Sequence, residues 1–590
     1  MSDMAFWNPS EIIGSNPRPL DYSLYRAIIT HRAWNQGIAR IGFRKLEEDL
    51  MHRVGNKPYI CLEYAFYSLI PQAVNEELAL RLVRYYQDAL RHNLTAHDKI
   101  EFEIVFTSYD FGTENRTRCL LEHGFTEDDR QNLTEKLKEV TMAAILQFDE
   151  ILAEDMTSLQ KLEELRKKEE RLLRNQQADI YQILRAVQNL RAGLQHYGTP
   201  QFARQARMAF MARAFLRSLT ENGPADDEGK TWFSQEDTDA FMQSISTVST
   251  EFEKDFRAFS MDEISRAEFN EKYGHLRVGT YDIRTERYDQ MNFRPGPSKS
   301  KGKAEAREDA LNPGRLAEAL KEAGLQVSVE QLLHFIRYAI EQREYFKFEF
   351  TKSLSMVLEL IRKLGSILEI RTMDLSWLCV DDFKLYESGC DPENLKKLWM
   401  KLITKRRRLN HDSRLILLPE VILSGASVDV IPVYEARPNF ITAKTVEGEV
   451  VLLDEEPDAD ITGKIVVVPK ADPGYEWIFT KNIKGFITKY GGAASHMAIR
   501  CAEFNIPAAI GCGEKIYDTV SQLDYLEMDC RNGLIKEGIQ YTNLHALITQ
   551  REGVNDYGDP TDILEAGYVE FYESIGFIPR PVANHTKNFE

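Results

Sequence analysis

The sequence changes character near residue 415, and this change limits the folds that the chain can adopt. Before it, apolar residues recur with a helical period over long stretches, as in LQKLEELRKKEERLLRNQ and SVEQLLHFIRYAIEQREYFKFEFTKSLSMVLELIRKLG. After it, short β-rich runs such as VDVIPVY, GEVVLLD and GKIVVVP alternate with turn residues, and a helix-like segment begins near His496. We therefore predict a multidomain chain, in which a large, mainly α-helical (α+β) N-terminal domain precedes a small β/α domain.

Composition narrows the class of protein. The 590 residues, 43% of them hydrophobic, are enough for two or more folded domains. A net charge of −18 argues against nucleic acid as a partner. The start, MSDMAFWNPSEIIG, has no signal-peptide pattern, and we find no run of about 18 apolar residues, so we expect no membrane partner and a cytoplasmic location. The seven cysteines form no CxxC pair, which predicts reduced thiols and no metal site.

Turn-rich and charged stretches suggest the domain boundaries. RPGPSKSKGKAEARED predicts a flexible excursion, and KLITKRRRLNHDSRLI is basic and polar enough for a hinge, although an ordinary helix end explains it equally well. The alternating apolar stretch from Ile100 to Phe106 predicts a strand. The predicted parts are an N-terminal domain at 1–410 with its excursion at about 294–309, a hinge at 411–425, a β/α domain at 426–542, and an extension of unassigned role at 543–590.

The loop GGAASHMAIRC is the strongest candidate site. Gly491 and Gly492 permit a tight turn and a close backbone approach to a ligand, and Ser495 is a plausible helix cap that places His496 in the first helical turn. The amides of that turn lack intrahelical partners and the helix dipole is positive there, so an anion is favoured. A neutral imidazole at this position could attack a phosphoryl group, with Ser495 helping to hold the product. The alternative is a capping or buried histidine at an ordinary strand–helix junction.

The longer stretch TKYGGAASHMAIRCAEFNIPAAIG resembles the phosphohistidine signature of the phosphoenolpyruvate-utilising enzymes. The preceding GKIVVVPKADPGYEWI resembles the strand and Asp-Pro turn of the same swivelling domain. The resemblance implies that His496 is phosphorylated and carries the group between distant sites. The arginine that the family commonly has six residues after this histidine is Ala502 here, and Arg500 becomes the candidate that binds the phosphoryl group.

Residues 1 to about 410 resemble the central region of phosphoenolpyruvate-synthase-like phosphotransferases. The segments that carry this resemblance are WNPSEIIGSNPRPLDYSLYR, QHYGTPQFARQARMAF, YGHLRVGTYDIRTERYD and EYFKFEFTKSLS. We find no ATP-grasp-like stretch before Trp7. The resemblance therefore implies a separate ATP-binding (ATP-grasp-like) subunit as partner, which binds ATP with Mg²⁺, and no organic cofactor. This split arrangement resembles that of phenylphosphate synthases.

Charge indicates where the acceptor binds, because phosphoryl transfer needs cations and a group that takes the acceptor's proton. YGHLRVGTYD supplies His275, Arg277 and Asp282 as base and clamp, unless it is a turn with a capping aspartate and a surface arginine. REYFKF places Arg343 and Lys347 one helical turn apart, where an ion pair within the helix is nearly as good an interpretation as substrate contact.

The function that these patterns favour converts ATP, water and an acceptor into AMP, phosphate and a phosphorylated acceptor, as the family resemblance implies. A phenol is the first candidate acceptor, and an amide or an alcohol is the alternative. An aromatic pocket with one histidine base would favour the phenol, whereas a pair of carboxylate-binding arginines would favour an amino-acid amide. The rival from another class is a non-catalytic relay subunit, in which His496 passes its phosphoryl group to another protein.

Overall fold

Helices form the body of the protein up to residue 423, and a β-rich region follows from residue 437. The computed structural model describes residues 3–538 except 8, 222–230, 292–305, 389–390, 415–417, 424–436, 455 and 457–458. The predicted extension at 543–590 and the run VDVIPVY lie outside the described residues, as do most of the excursion at 294–309 and part of the hinge at 411–425.

The helices of the body confirm the helical periodicity of the sequence. They are α1 (Pro9–Ile13), α2 (Pro19–Tyr25), α3 (Ala33–Ala39), α4 (Leu62–Ser68), α5 (Glu76–His92), α6 (Thr113–Arg116), α7 (Cys119–Glu122), α8 (Glu127–Leu146), α9 (Phe148–Arg174), α10 (Ile180–Gly193), α11 (Thr199–Glu221), α12 (Gln235–Gln243), α13 (Val248–Ser260), α14 (Arg266–Tyr273), α15 (Pro313–Glu322), α16 (Val329–Ile367), α17 (Thr372–Leu375) and α18 (Pro392–Arg414). Across the described residues, none of the helices combines the length and the apolar character that crossing a bilayer requires.

Helix α16 is the axis of the body. It begins at a capping box, in which the Ser328 hydroxyl accepts from the Gln331 N–H and the Gln331 side chain accepts from the Ser328 N–H. One side of α16 packs its leucines and phenylalanines against α9, α10 and α11. A polar stripe with a spacing of four residues runs along another side and winds slowly around the helix, because four residues make slightly more than one turn: Arg343, Lys347, Thr351, Ser355 and Glu359.

A small antiparallel sheet ties the two ends of the body together. Its strands are β1 (Met4–Ala5), β2 (Met51–Val54), β3 (Lys57–Cys61) and β4 (Val421–Ile422), in the order β2-β3-β1-β4. Met4 lies opposite both Cys61 and Ile422 in the register. The strand predicted from Ile100 to Phe106 is wrong, since Ile100–Ile104 form a π-helical turn. Ile100 and Ile104, four residues apart, are both buried, whereas Phe102 between them is 37% exposed. The alternating apolar residues therefore place one side of a helical turn in the core.

The β-rich region is built on a seven-stranded sheet that is covered on both faces. The strands are β5 (Asn439–Ile441), β6 (Thr445–Leu452), β7 (Ile465–Lys470), β8 (Gly485–Tyr490), β9 (Ala508–Ile510), β10 (Tyr525–Asp529) and β11 (Leu534–Glu537), in the order β11-β10-β6-β7-β8-β9-β5. The four strands β6 to β9 are parallel, and β10 and β5 pair antiparallel to them.

Both faces of this sheet are apolar, which explains the continuous run IVVV of β7. Val466 and Val468 pack under helix α19 (His496–Glu503), and Ile465 and Val467 pack on the side of helix α20 (Gly513–Val520). The runs GEVVLLD and GKIVVVP are strands as predicted. Residues 1–536 belong to one compact unit, so the body and the β-rich region have a defined arrangement.

Candidate active site around His496

The strand β8, a glycine turn and the helix α19 present His496. Ser495 has extended backbone angles and its hydroxyl accepts the Ala498 N–H at 3.3 Å, which makes it the helix cap. His496 is the first residue of α19 and is 9% exposed. The imidazole therefore lies at the positive end of the helix dipole, as the sequence predicts.

Two neighbouring glycines are needed at the turn for different reasons. Gly491 has φ of +148°, and a Cβ there would lie 2.6 Å from the Cβ of Ala471. At Gly492 a Cβ would lie 3.0 Å from the Asp98 carbonyl oxygen and 3.2 Å from Glu11 Oε1. Asp98 and Glu11 belong to the body, so the absent side chain at Gly492 lets the β-rich region approach it closely.

Carboxylates approach the His496 ring from two sides. Nε2 is hydrogen-bonded to Glu476, which lies in the 3₁₀ helix Pro473–Thr480. Nδ1 lies 3.6 Å from Glu344 Oε2, on α16. Burial would raise the pKa of Glu344, but Arg343, His496 and Lys347 outweigh burial and lower this pKa to about 2. Glu344 is thus an anion that faces the histidine from the body.

Arg500 supports Glu476 in this structure. Its Nε lies 2.6 Å from Glu476 Oε1, and its other nitrogens lie 2.5 Å from Glu503 and 3.8 Å from Glu253. Burial alone would lower the pKa of Arg500, but these carboxylates raise it, so the guanidinium stays charged. The role predicted for Arg500, phosphoryl binding, stays a prediction.

A cavity of about 270 Å³ lies between the body and the loop of His496. Gly492, Ser495 and His496 form part of its wall. Aromatic side chains from the body supply much of the rest, namely Trp7, Tyr25, Trp34, Phe202, Phe210 and Phe350. A partly open, apolar space with aromatic walls beside a histidine suits a small, largely apolar ligand.

The polar stripe of α16 contributes cations to the cavity. Arg343 and Lys347 both line it, as do Thr351 and Ser355. The Arg343 side chain donates to the neighbouring Glu344. Lys347 makes no salt bridge within the described part of the chain, and burial lowers its pKa. Lys347 is therefore a cation available to a ligand, whereas Arg343 already has a carboxylate partner.

Of the three acceptor-side residues predicted in YGHLRVGTYD, only two line the cavity of His496. His275 and Arg277 line the cavity, whereas Asp282 lines a second cavity of about 410 Å³ and binds Arg284. Burial lowers the pKa of His275 well below its usual range, and its Nε2 lies 3.3 Å from the Thr351 hydroxyl. Arg277 donates to Glu359 at 2.8 Å, and burial lowers its pKa to about 10.

The 3₁₀ helix before β8 holds the β-rich region against the body. Asp472 Oδ1 accepts the Gly474 N–H at 2.7 Å, and Asp472 Oδ2 accepts the Thr280 N–H at 3.4 Å. The Tyr288 hydroxyl donates to the Gly474 carbonyl at 2.6 Å. A Cβ on Gly474 would lie 2.2 Å from the Arg277 carbonyl oxygen, so only glycine fits this contact.

Sequence reasoning missed four carboxylates of the site: Glu11, Asp98, Glu344 and Glu476. Glu476 stands between tyrosine and tryptophan in GYEWIF, and Glu11 precedes two isoleucines. A charged residue inside an apolar run is a signal of a buried polar site, because burying it requires a partner. That signal was present for Glu476, whereas Glu11 follows Asn8, Pro9 and Ser10 and gave none.

The comparisons with known proteins agree with the geometry. Residues 461–533 match the family model of the PEP-utilising enzyme, mobile domain. Phosphoenolpyruvate synthase from Synechocystis is 27% identical over 136 residues, which are 21% of this chain and 16% of that protein. Rifampicin phosphotransferase from Streptomyces sviceus is 22% identical over 273 residues, which are 41% of this chain and 30% of that protein. The chain thus matches less than a third of the length of these relatives.

Proposed function

We propose that the chain is a phosphotransferase in which His496 carries the phosphoryl group, on the premise that residues 461–533 match the family model of the PEP-utilising enzyme, mobile domain. The observation that supports this most directly is the placement of His496, at a helix N-terminus that opens onto an enclosed cavity. A histidine that only capped its helix would need no ligand-sized space beside it. A relay subunit that served another protein would need no such space either.

In the proposed reaction, ATP, water and an acceptor give AMP, phosphate and a phosphorylated acceptor. ATP with Mg²⁺ is bound by an ATP-grasp-like partner subunit, which phosphorylates His496. The mobile domain then brings the phosphohistidine to the cavity of the body. Lys347, which has no salt-bridge partner in the described residues, neutralises charge on the phosphoryl oxygens during transfer.

A phenol-like hydroxyl compound is the acceptor that the cavity favours. Its walls are mainly apolar and include aromatic side chains, and its volume of about 270 Å³ leaves room for a molecule with an aromatic ring. An amino-acid acceptor would need free arginines to bind its carboxylate. Each arginine of the cavity already has a carboxylate partner, since Arg207 lies 2.8 Å from Glu101, Arg277 binds Glu359 and Arg343 binds Glu344. Arg207 keeps its buried Nε and Nη1 without a hydrogen-bond partner in the described residues, so charge pairing, and not a lack of donors, disfavours a carboxylate there.

The test uses the full chain and a chemical phosphoryl donor, potassium phosphoramidate. Peptide mass spectrometry under alkaline conditions locates the phosphoryl group, and ³¹P NMR follows its transfer to phenol, benzyl alcohol or benzamide. We expect modification of His496 and the formation of phenyl phosphate. The His496→Asn variant, whose fold is checked by circular dichroism, should give neither.

Two outcomes would contradict the proposal. Modification at another residue would exclude His496 as the carrier. Release of the phosphoryl group from His496 to water alone, with all three acceptors present, would exclude the cavity as an acceptor site. Transfer to benzyl alcohol or benzamide instead of phenol would keep the carrier and change the acceptor class.

A further inference from the structure

Glu11 is the carboxyl group that connects the body to the loop of His496. It lies in α1 and lines the cavity together with His496. A Cβ built on Gly492 would lie only 3.2 Å from Glu11 Oε1, so the Gly492 backbone approaches this carboxyl group closely. The contact crosses between two parts of the chain, so it exists only when the loop is seated on the body.

The surroundings of Glu11 make it a weak acid. Burial raises its pKa to about 8, the negative charge of Asp98 adds to this, and the Gly492 N–H and Lys347 oppose it. The Tyr25 ring, whose pKa burial raises, also faces the carboxyl group. Across a small adjoining cavity, Glu11 faces further titratable side chains, which are His97, Glu420, Arg437 and Lys489.

The other acid–base groups of the cavity are less suited to accept a proton. His275 Nε2 lies 3.3 Å from the Thr351 hydroxyl, and burial lowers the pKa of His275 well below its usual range, which makes it a weak base. Asp98 Oδ2 accepts a hydrogen bond from the Asn439 side chain at 2.9 Å, and its buried Oδ1 has no hydrogen-bond partner within the described residues, which makes Asp98 the nearest rival of Glu11. Of the other carboxylates that line the cavity, Asp472 accepts the N–H groups of Gly474 and Thr280, and Glu101 lies 2.8 Å from Arg207.

We propose that Glu11 is the general base of the reaction and takes the proton of the acceptor hydroxyl when His496 delivers its phosphoryl group. The inference rests on the proposed function. The P–N bond of the phosphohistidine breaks, and its electron pair returns to the imidazole. An acceptor oxygen forms the new P–O bond, and its proton moves to the Glu11 carboxylate, so no further reactant is needed.

The close approach of Gly492 couples this base to docking. Seating the loop brings His496 to the cavity and at the same time places the Gly492 backbone against the Glu11 carboxyl group. The nucleophilic oxygen can then be deprotonated only in the state in which the phosphoryl group is present. At pH 7 only a minority of Glu11 is ionised, and the ionised fraction grows as the pH rises towards 8 and beyond.

The experiment compares loading with transfer in the Glu11→Gln variant. The full chain is phosphorylated with phosphoramidate, freed of donor, and mixed with phenol at pH values from 6 to 9. We expect loading of His496 to match the unsubstituted chain. Transfer should be about 10²- to 10⁴-fold slower and should lose the rise with pH that the unsubstituted chain shows up to about 8 or above. Glu11→Asp, which restores a carboxylate, should recover part of the rate and the pH dependence.

Asp21→Asn is the matched control. Asp21 is also a buried carboxyl group whose pKa burial raises to about 8, but it lines the second cavity and not that of His496. This variant should load and transfer like the unsubstituted chain. An equal loss of transfer in Asp21→Asn would show that any buried carboxyl group has this effect, and it would overturn the role of Glu11.

The remaining outcomes separate the two proposals. A Glu11→Gln variant that transfers at the unsubstituted rate with the same pH profile overturns the general base and leaves the carrier function standing. A variant that fails to load His496 also overturns it, because Glu11 then acts on the histidine site itself. Failure of the unsubstituted chain to load, or to transfer to any acceptor, overturns the proposed function and the general base together.

Discussion

Replacing Arg500 by methionine tests whether this buried arginine holds the site together. Arg500 is 2% exposed and lies 2.6 Å from Glu476, which is itself 6% exposed. Methionine keeps most of the packing volume but leaves the Glu476 carboxylate buried without the guanidinium. Removing one partner of a buried ion pair costs about 3–5 kcal/mol, because the remaining charge is uncompensated. We expect a loss of local stability of that size around α19.

Hydrogen exchange of the full chain, read by mass spectrometry, measures this loss. With about 1.4 kcal/mol for each factor of ten, amides of α19 that exchange by local opening should exchange about 10²- to 10⁴-fold faster. The double variant Arg500→Met/Glu476→Gln removes the orphaned charge and should recover much of the protection. Arg174→Met is the control, since Arg174 is 82% exposed in its pair with Glu170 and should cost less than about 0.5 kcal/mol.

Unchanged exchange of α19 in Arg500→Met would refute the reasoning, and so would a double variant that exchanges as fast as the single one. The first result would mean that Glu476 finds another partner or is protonated at no cost. The second would mean that the loss comes from packing and not from charge.

Three further predictions concern the cavity and its contacts. Gly492→Ala should destabilise the seated position of the loop by about 1–3 kcal/mol. Transfer to phenol should then be about 5- to 150-fold slower, and loading of His496 should be unchanged. A normal rate of transfer would show that the close contact with Asp98 relaxes freely. Glu11→Gln should reduce the fall of melting temperature between pH 5 and pH 9. Folding raises the pKa of Glu11 from 4.5 to about 8, so the protonated group stabilises the folded protein fully below pH 4.5. This contribution, up to about 5 kcal/mol, is lost as the pH rises through 8. An unaltered fall of the melting temperature in the variant would contradict the raised pKa. Phe202→Ala should cost about 3 kcal/mol in unfolding experiments and should speed transfer to bulkier phenols relative to phenol; an unchanged preference would place the acceptor elsewhere.

The sequence was sufficient for the local structure around His496, because that structure depends on short-range rules. Two glycines, a capping serine and an apolar helix face are enough to predict the turn and α19. The family comparison covers the same stretch. Periodicity likewise predicted α16, whose apolar faces are continuous over 39 residues.

Partners that come from distant parts of the chain could not be predicted. Glu476 and Glu344 meet His496 from two separate segments, and no local pattern indicates that contact. Asp282 was grouped with His275 by closeness in sequence, but it faces another cavity because the turn at Gly279 directs it away. The strand prediction for Ile100 to Phe106 was wrong because apolar residues that alternate along the chain also recur at every fourth position. That spacing of four is equally typical of a helical turn.

The seated histidine has a kinetic consequence. With 9% of its surface exposed and carboxylates on two sides, His496 cannot be reached by ATP bound to a partner subunit while it faces the cavity. Under the proposed function, charging and discharge therefore alternate in time, and steady-state rates with the two substrates should follow ping-pong kinetics. A saturating acceptor that holds the loop in place should then inhibit turnover by competing with recharging.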